Sequence, residues 1–338
     1  MNQPAAAGTA RYFAERYGHD AAGTWFAPGR VNLLGGPDYN DVFVLPFALS
    51  VGVCAAASRR FDRRIALTSR QAGGEPVLLD IDTLEPGSPP GSHVGWAAYP
   101  AGVAWALRQA GYLAGGADVA IDADLPAGAG LSSSAALECS VALALTGLYQ
   151  APVPRRELAA AGLTLLVIDT RARHALTDGQ YAARRRACEE AASRLGVRSL
   201  RDVTDDPGAL TRLTDPSLRR LAGHVVAENG RLLRAVDLLR AGDQAAIGEL
   251  LTASHRSLRD EFRMSWPQAD AAVEAAVDAG AAGARMTGGG FGGSVVALVP
   301  AGRAAQVRAA VTRRFTQHDW PAPHYLEAVP SDGARRIG

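Results

Sequence analysis

Lysine is absent from this chain of 338 residues, so all 35 of its basic side chains are arginines. A Walker-A loop needs a lysine on the nucleotide phosphates, a protein kinase needs a lysine on a strand, and pyridoxal or Schiff-base enzymes need the lysine amine. The absence of lysine excludes all of these classes, whatever its cause.

Cysteine is scarce as well. Cys54, Cys139 and Cys188 lie far apart and show no CxxC or Cys/His spacing, so we expect neither a structural zinc site nor a disulfide framework. The sequence has no apolar run long enough to span a bilayer, and its N-terminus lacks the basic and apolar segments of a signal peptide. We therefore expect a cytoplasmic protein with no membrane partner.

The charge is nearly balanced, with 35 basic against 34 acidic residues and a net charge of +1. No basic field is present that would attract nucleic acid, so a compact, neutral small molecule is the expected partner. The apolar share of 48% provides a sizeable core, and a chain of this length predicts two lobes around a cleft. Nothing in the sequence predicts an oligomeric state.

The apolar pattern alternates between strands and helices along the chain, which predicts an α+β fold. Alternating or continuous apolar runs predict strands at 24–27, 43–46, 51–57, 64–68, 77–81, 118–122, 163–170 and 294–299. Helical spacing predicts helices at 11–17, 96–111, 134–149, 182–195, 218–239, 245–259, 268–279 and 304–315.

A segment rich in glycine and serine, residues 126–134, lies between a predicted strand and a predicted helix. Its glycines let backbone N–H groups turn toward one point, and the helix N-terminus adds its dipole, so the segment is suited to hold an anion. Its three serines offer hydroxyls to phosphate oxygens or to a metal ion. Taken alone, the segment is equally typical of a tight turn with a serine N-cap.

A second glycine-rich segment, residues 285–294, has five glycines in the six positions 288–293. Such a run weakens any regular element that it occupies. It is tolerated where the backbone must approach a ligand or another chain segment closely. We interpret it as part of a ligand site.

Three motifs occur in order along the chain: residues 29–35 followed by 38–41 and 43–46, then 125–138, and then 283–296. These motifs, with further stretches at 169–189 and 254–260, resemble those of the galactokinase branch of the GHMP small-molecule kinases. The resemblance runs from about residue 26 to about residue 299. It implies a two-lobed α+β GHMP kinase fold with the active site in the cleft between an N-terminal lobe, 1–175, and a C-terminal lobe, 176–338.

The resemblance also implies roles for individual residues. The residues that it places on the phosphates of ATP are Gly128, Gly130, Leu131, Ser132, Ser133 and Ser134, and Ser133 would also bind a Mg²⁺ ion. Arg30 would lie beside the transferring phosphoryl group as the catalytic residue, because phosphoryl transfer needs positioning and charge neutralisation. The residues that would bind a sugar or sugar-like polyol are Asp38, Tyr181, Gly289 and Gly290.

The first motif departs from the family pattern. The family has a Glu-His-Thr triplet before the Asp-Tyr-Asn, whereas only Gly36 and Pro37 stand in that place here. In the family that Glu and His hold substrate hydroxyls. Their loss predicts a reshaped sugar pocket and favours an acceptor other than galactose, such as a cyclitol or a phosphorylated sugar.

A larger departure follows Gly162. In the family several dozen residues come next and carry a Mg²⁺-binding Glu and a Met-Asp-Gln segment with the catalytic Asp, whereas Leu163 follows here at once. Three interpretations stay open: a kinase with an altered substrate, in which Glu138 or Asp169 helps to hold the metal; a catalytically inactive nucleotide-binding pseudokinase; and a sequence that omits a loop of the natural protein. A Cα–Cα distance between Gly162 and Leu163 far above the roughly 3.8 Å of a peptide unit would favour the last.

Overall fold

The computed structural model describes residues 3–35, 43–85, 95–112, 115–125, 131–150, 164–172, 179–241, 243, 245–300, 302–328 and 332–338. Within these ranges the chain forms eight α-helices and ten strands, which lie in two sheets. The predicted α+β class is confirmed. The junctions between Gly36 and Pro37 and between Gly162 and Leu163 fall outside the described residues.

The first sheet is built from the strands β1 Gly23–Gly35, β2 Val44–Arg60, β3 Arg64–Ser69, β4 Val77–Asp80, β5 Gly116–Ala123 and β10 Arg335–Arg336. Their order across the sheet is β10-β1-β2-β5-β3-β4. Neighbouring strands are antiparallel, except that β3 and β5 run parallel.

Helices cover both faces of this sheet: α1 Gln3–Tyr17, α2 Ala98–Gln109 and α3 Ser133–Leu148. The reason is visible in β2, where successive side chains point to opposite faces. Ala55 and Ala57 are buried in the core that the sheet forms with α2 and α3, whereas Ala56 is buried against Phe13 of α1. Small side chains on β2 let the helices come close to the sheet.

The second sheet is built from the strands β6 Thr164–Asp169, β7 Gly283–Thr287, β8 Ser294–Val299 and β9 His324–Ala328, in the antiparallel order β7-β8-β6-β9. The helices of this half are α4 Gln180–Leu195, α5 Pro216–Ala241, α6 Ala245–Asp260, α7 Pro267–Asp278 and α8 Ala304–Gln317. None of the helices in the described ranges combines the length and the apolar character needed to cross a bilayer.

The strand β6 contributes to two hydrophobic cores. Leu165 and Val167 are buried in the core of the first sheet, whereas Leu166 and Ile168 are buried in the core around α7 and α8. The period-two alternation of a strand therefore places one element between both halves of the molecule. The division into lobes at residue 175 stays a prediction, with β6 hydrogen-bonded into the second sheet and β10 into the first.

Candidate active site

The second half of β1 joins the two glycine-rich motifs. The backbone N–H of Arg30 donates to the carbonyl oxygen of Leu131 at 3.0 Å, and the hydroxyl of Thr287 donates to the carbonyl oxygen of Asn32 at 3.4 Å. Leu131 of the segment 126–134 and Thr287, which directly precedes the run 288–293, therefore contact the same short stretch of one strand. They lie at one place, as a shared ligand site requires.

Gly29 allows the close approach of β1 to the residues that flank the segment 126–130. A Cβ atom built on Gly29 would lie 2.6 Å from a methyl carbon of Leu125 and 3.2 Å from the carbonyl oxygen of Leu131. Leu125 and Leu131 flank residues 126–130, and both are buried. A side chain at position 29 would push β1 away from the segment, which explains the glycine.

The N-terminus of α3 has an unusual cap. Ser132 adopts the left-handed conformation, with φ 56° and ψ 39°, and its side chain makes no capping hydrogen bond. An N-cap residue is ordinarily extended and uses its side chain on the first turn. Left-handed non-glycine residues are strained and cluster at functional sites, and the first N–H groups of a helix lack partners within it. This helix end is therefore suited to bind an anion.

Arg30 lies close to the first turns of α3. Burial and the adjacent Glu138 carboxylate raise the pKa of the Cys139 thiol, whereas the guanidinium of Arg30 lowers it, so the arginine charge is felt at this helix. Ser133 lies on the same part of α3 and is half-buried. The structure thus brings Arg30, Leu131, Ser132 and Ser133 together.

The glycine run adopts backbone conformations that other residues rarely reach. Positive φ angles occur at Gly288 (85°), Gly290 (79°), Gly292 (144°) and Gly293 (107°). Glycine takes such angles without a steric penalty, whereas a side chain would be strained at each of them. The run therefore keeps its shape only as glycine at these positions.

Hydrogen bonds at Phe291 and Gly293 hold the run 288–293 against neighbouring segments of the chain. The N–H of Phe291 donates to the carbonyl oxygen of Met264 at 3.0 Å, and a Cβ at Gly290 would lie 2.7 Å from that oxygen. The carbonyl oxygen of Gly293 accepts from the N–H of Thr170 at 3.1 Å and from its hydroxyl at 2.6 Å. Close packing on another chain segment thus accounts for part of the glycine content.

The predicted substrate residues are placed only in part. Asp38 falls outside the described residues, as do Gly128 and Gly130 of the segment 126–134. Tyr181 is the second residue of α4, and its side chain is not among the described ones. Gly289 is half-buried beside the buried Gly290. The roles of these residues stay predictions.

A buried ion pair near the end of β1 was not predicted from the sequence. Glu228 of α5 is 1% exposed and Arg285 of β7 is 3% exposed, and a guanidinium nitrogen of Arg285 lies 3.0 Å from Oε1 of Glu228. Ser254 donates to the same oxygen at 2.6 Å, and Arg231 donates to Oε2 at 2.8 Å. Burial alone would raise the pKa of Glu228, but the charges around it, above all Arg285, lower it to about 2.

The sequence does contain a signal for this buried carboxylate. The positions 221, 225, 228 and 232 follow helical spacing and form one face of α5, and all of them are buried. Leu221, Val225 and Leu232 make that face apolar, so an acidic residue in the middle of it requires a cationic partner.

One large hollow lies away from these motifs. It encloses about 1020 Å³, and its lining includes Trp25, Arg59, Arg60, Asp118 and Arg336. It therefore lies at the start of β1, whereas Arg30 and Asn32 are in the second half of that strand. None of the lining residues that the structure describes belongs to the three motifs, so this hollow is not the candidate active site.

Three models of protein families match the chain. Residues 11–59 match the galactokinase galactose-binding signature, residues 98–181 match the GHMP kinases N terminal domain, and residues 235–317 match the GHMP kinases C terminal model. The matches come in the order expected from the three motifs.

Galactokinases are similar to the chain over most or all of its length. A galactokinase of Streptomyces coelicolor is 44% identical over 390 aligned positions that cover 100% of both chains. A galactokinase of Mycobacterium tuberculosis is 40% identical and aligns over 90% of this chain and 97% of its own. The alignment with the Streptomyces coelicolor protein has 390 positions and this chain has 338 residues, so at least 52 of those positions face a gap in this chain.

Solved structures with a similar fold also include a galactokinase. The structure of Lactococcus lactis galactokinase complexed with galactose matches with a TM-score of 0.88 and 27% identity, over 98% of this chain and 99% of that one. Methanococcus jannaschii mevalonate kinase has the same fold, with a TM-score of 0.59 and 13% identity over 93% of this chain and 98% of its own. The chain therefore belongs to the galactokinase branch of the GHMP kinase family.

Proposed function

We propose that the chain transfers a phosphoryl group from ATP to a hydroxyl of a sugar or a sugar-like polyol. The observation that carries this proposal is the meeting of both glycine-rich motifs at β1, through Arg30 with Leu131 and Asn32 with Thr287. The sugar as acceptor class is supported by the galactokinases among the relatives and by the galactose complex of a similar structure.

In this proposal, two parts of the site have different roles. The uncapped N-terminus of α3 offers N–H groups and the hydroxyls of Ser132 and Ser133 to the polyphosphate of ATP. Arg30 neutralises the charge on the transferring phosphoryl group, which is the main contribution that a protein makes to this reaction. The transition state is loose, so transfer is compatible with the lack of a recognisable catalytic Asp.

We propose that Mg²⁺ binds at this site together with the nucleotide. Among the described residues no group of three His, Cys, Asp or Glu side chains could hold a metal ion, and Ser133 offers one hydroxyl. Mg²⁺ in kinases is bound through substrate phosphates and a small number of protein oxygens, so this donor set suits an ion that arrives with ATP. When bound, the ion would add charge neutralisation. We further propose that the protein acts in the cytoplasm, where ATP is available.

Galactose is the first acceptor to test, because the relatives are galactokinases. Gly36 and Pro37, in place of the family's Glu-His-Thr, favour a different acceptor, so cyclitols and phosphorylated sugars belong in the same screen. The comparisons give no support to the alternative of an inactive nucleotide-binding protein.

The test combines calorimetric titration with ATP and Mg²⁺ and a coupled assay of ADP release over hexoses, cyclitols and sugar phosphates. Binding of ATP together with turnover of at least one acceptor is the expected result. Binding of ATP without turnover of any acceptor would establish the inactive alternative instead. A chain that binds no ATP would contradict both.

A further inference from the structure

Asn32 lies on the same face of β1 as Arg30. Residues 30–32 pair with residues 46–48 of β2 without a shift in register, so successive side chains along this stretch point to opposite faces of the sheet. Val31 is 1% exposed and belongs to the hydrophobic core of the first sheet, whereas Arg30 and Asn32 are half-buried. The amide of Asn32 and the guanidinium of Arg30 therefore lie on one side of the strand, opposite that core.

The backbone of Asn32 contacts the third motif. Pro46, which lies opposite Asn32 on β2, has no N–H to donate. The carbonyl oxygen of Asn32 accepts the hydroxyl of Thr287 at 3.4 Å, and Thr287 directly precedes the glycine run 288–293. Asn32 therefore lies where β1 meets the segment that we interpret as part of a ligand site.

The side-chain oxygen of Asn32 has no donor within the part of the chain that the structure describes. Its Oδ1 is buried and accepts no hydrogen bond there, which costs free energy because the oxygen has also lost its contact with water. Further along the same strand, both backbone groups of Gly35 are bonded, the N–H to Glu228 at 3.3 Å and the carbonyl oxygen to Arg285 at 3.0 Å. An unmatched oxygen beside these matched groups is not explained by the stability of the fold.

The chemistry of the reaction restricts the group that can satisfy this oxygen. The ionised phosphate oxygens of ATP accept hydrogen bonds and do not donate them. The positive charge of Arg30 on the same strand face disfavours a metal ion at Asn32. A hydroxyl of the sugar or polyol substrate is neutral and donates. The hydroxyl that reacts must lie beside the transferring phosphoryl group, and hence beside Arg30.

We propose that Oδ1 of Asn32 accepts a hydrogen bond from the substrate hydroxyl that receives the phosphoryl group, which makes Asn32 a substrate-binding residue of this chain. This inference rests on the proposed function. The hydrogen bond orients a lone pair of the hydroxyl oxygen toward the γ-phosphorus of ATP. As the new O–P bond forms, the bond from the γ-phosphorus to the bridging oxygen of ADP breaks. The hydroxyl proton passes to solvent, because an amide does not take it up.

The variant Asn32→Leu removes the amide and keeps a side chain of similar volume. It is expected to weaken binding of the substrate about tenfold in calorimetry and to leave the affinity for ATP within about twofold. Because the lost oxygen has no partner among the described residues, the urea midpoint of unfolding should equal or exceed that of the unsubstituted protein.

The matched control is Asn229→Leu, which removes a buried amide whose hydrogen bonds are made. Asn229 is 0% exposed, its Oδ1 accepts the N–H of Phe43 at 3.1 Å, and its amide nitrogen donates to the hydroxyl of Thr204 at 3.1 Å. Asn229→Leu is therefore expected to lower the urea midpoint. The contrast between the two variants separates an amide kept for a ligand from an amide kept for the fold.

A substrate analogue with hydrogen in place of the reacting hydroxyl tests the same contact from the side of the ligand. The reacting hydroxyl is identified from the phosphorylated product of the ADP-release screen. The unsubstituted protein is expected to bind this deoxy analogue about tenfold more weakly than the substrate. Asn32→Leu should bind the two within about twofold of each other, because the partner of the hydroxyl is already absent.

The outcomes distinguish this contact from the proposed function. An unsubstituted chain that neither binds nor phosphorylates any sugar or polyol would remove both. If the unsubstituted chain phosphorylates a sugar but binds its deoxy analogue as tightly, or if Asn32→Leu retains the tenfold loss for the analogue, the role of Asn32 alone is overturned. Equal losses of substrate and ATP affinity in Asn32→Leu, or a urea midpoint lowered as in Asn229→Leu, would also overturn it, because they would indicate a structural effect.

Discussion

The guanidinium of Arg285 donates to the carbonyl oxygen of Gly35 at 3.0 Å and thereby links residues that are 250 positions apart in the chain. Gly35 is the last residue of β1 in the first sheet, and Arg285 lies on β7 in the second sheet, so this single bond joins the two sheets at the candidate active site. The ion pair with Glu228 holds the guanidinium in place. The relative position of the two sheets thus depends on a buried charge.

Replacement of Arg285 by Met is expected to destabilise the fold by about 3–5 kcal/mol, because it leaves the Glu228 carboxylate buried without its main partner. Urea unfolding measures the change. Arg259→Met is the matched control, since Arg259 pairs with Asp260 at the surface and should change stability by about 0.5 kcal/mol or less. Equal losses for both variants would show that burial of the pair is unimportant.

Substitution of Arg30 by Gln is expected to lower kcat by about a thousandfold, because the charge beside the transferring phosphoryl group is lost. The affinity for ATP, measured by calorimetry, should change far less. Arg63→Gln serves as the control, since Arg63 forms an exposed pair with Asp82 away from the site. A kcat that survives in Arg30→Gln would contradict the catalytic role of this residue.

A methyl group added at Gly290 and one added at Gly230 should change the stability of the fold in opposite directions. Gly290 has a φ of 79° and lies against the carbonyl oxygen of Met264, so Gly290→Ala is expected to destabilise the fold by at least about 1–3 kcal/mol. Gly230 is an exposed residue of α5 with open space around it, so Gly230→Ala should stabilise by about 0.5–1 kcal/mol. Urea unfolding of both variants is the measurement, and two changes of the same sign would contradict the expectation.

Stability is expected to rise with pH between about pH 4 and pH 6.5 because of His224. Burial lowers the pKa of this histidine to about 4 from an ordinary value of 6.5, and its Nδ1 lies 2.7 Å from the hydroxyl of Ser257. Below pH 6.5 the unfolded chain binds a proton at this histidine, whereas the folded chain does not bind it until the pH approaches 4. The free energy of unfolding therefore falls by up to about 3 kcal/mol between pH 6.5 and pH 4.

The control for this pH effect is His224→Gln, which keeps a polar side chain but cannot titrate. Its free energy of unfolding, measured from pH 4 to pH 7, should show a smaller slope than that of the unsubstituted protein. The same slope in both proteins would mean that His224 does not cause the pH dependence.

Local patterns predicted the framework of the site well. The strand at 118–122 and the helix at 134–149 are observed as Gly116–Ala123 and Ser133–Leu148. The strand shows alternating apolar residues and the helix is apolar over most of its surface, so both elements are recognisable from the local sequence. Long-range pairing explains what was wrong: β2 is one strand, Val44–Arg60, where two separate strands were predicted, because its pairing with β1 and β5 carries it across Pro46 and Gly52.

The rest of the site depends on contacts that a single sequence does not reveal. The apolar face around Glu228 marks it as a buried carboxylate, but nothing local in the sequence identifies Arg285, far along the chain, as its partner. The strands His324–Ala328 and Arg335–Arg336 were not predicted, because both are short and take their form from neighbouring strands. Helix α1 begins at Gln3 rather than at Arg11, since Pro4 is tolerated in a first helical turn.

The position of β6 between two cores affects how the molecule unfolds. Its side chains alternate between two cores, with Leu165 in one and Leu166 in the other, so neither core is complete without it. The two halves should consequently unfold in a single calorimetric transition. A fragment of residues 1–175 would contain β6, so a fragment of residues 176–338 should lack a strand that its core requires.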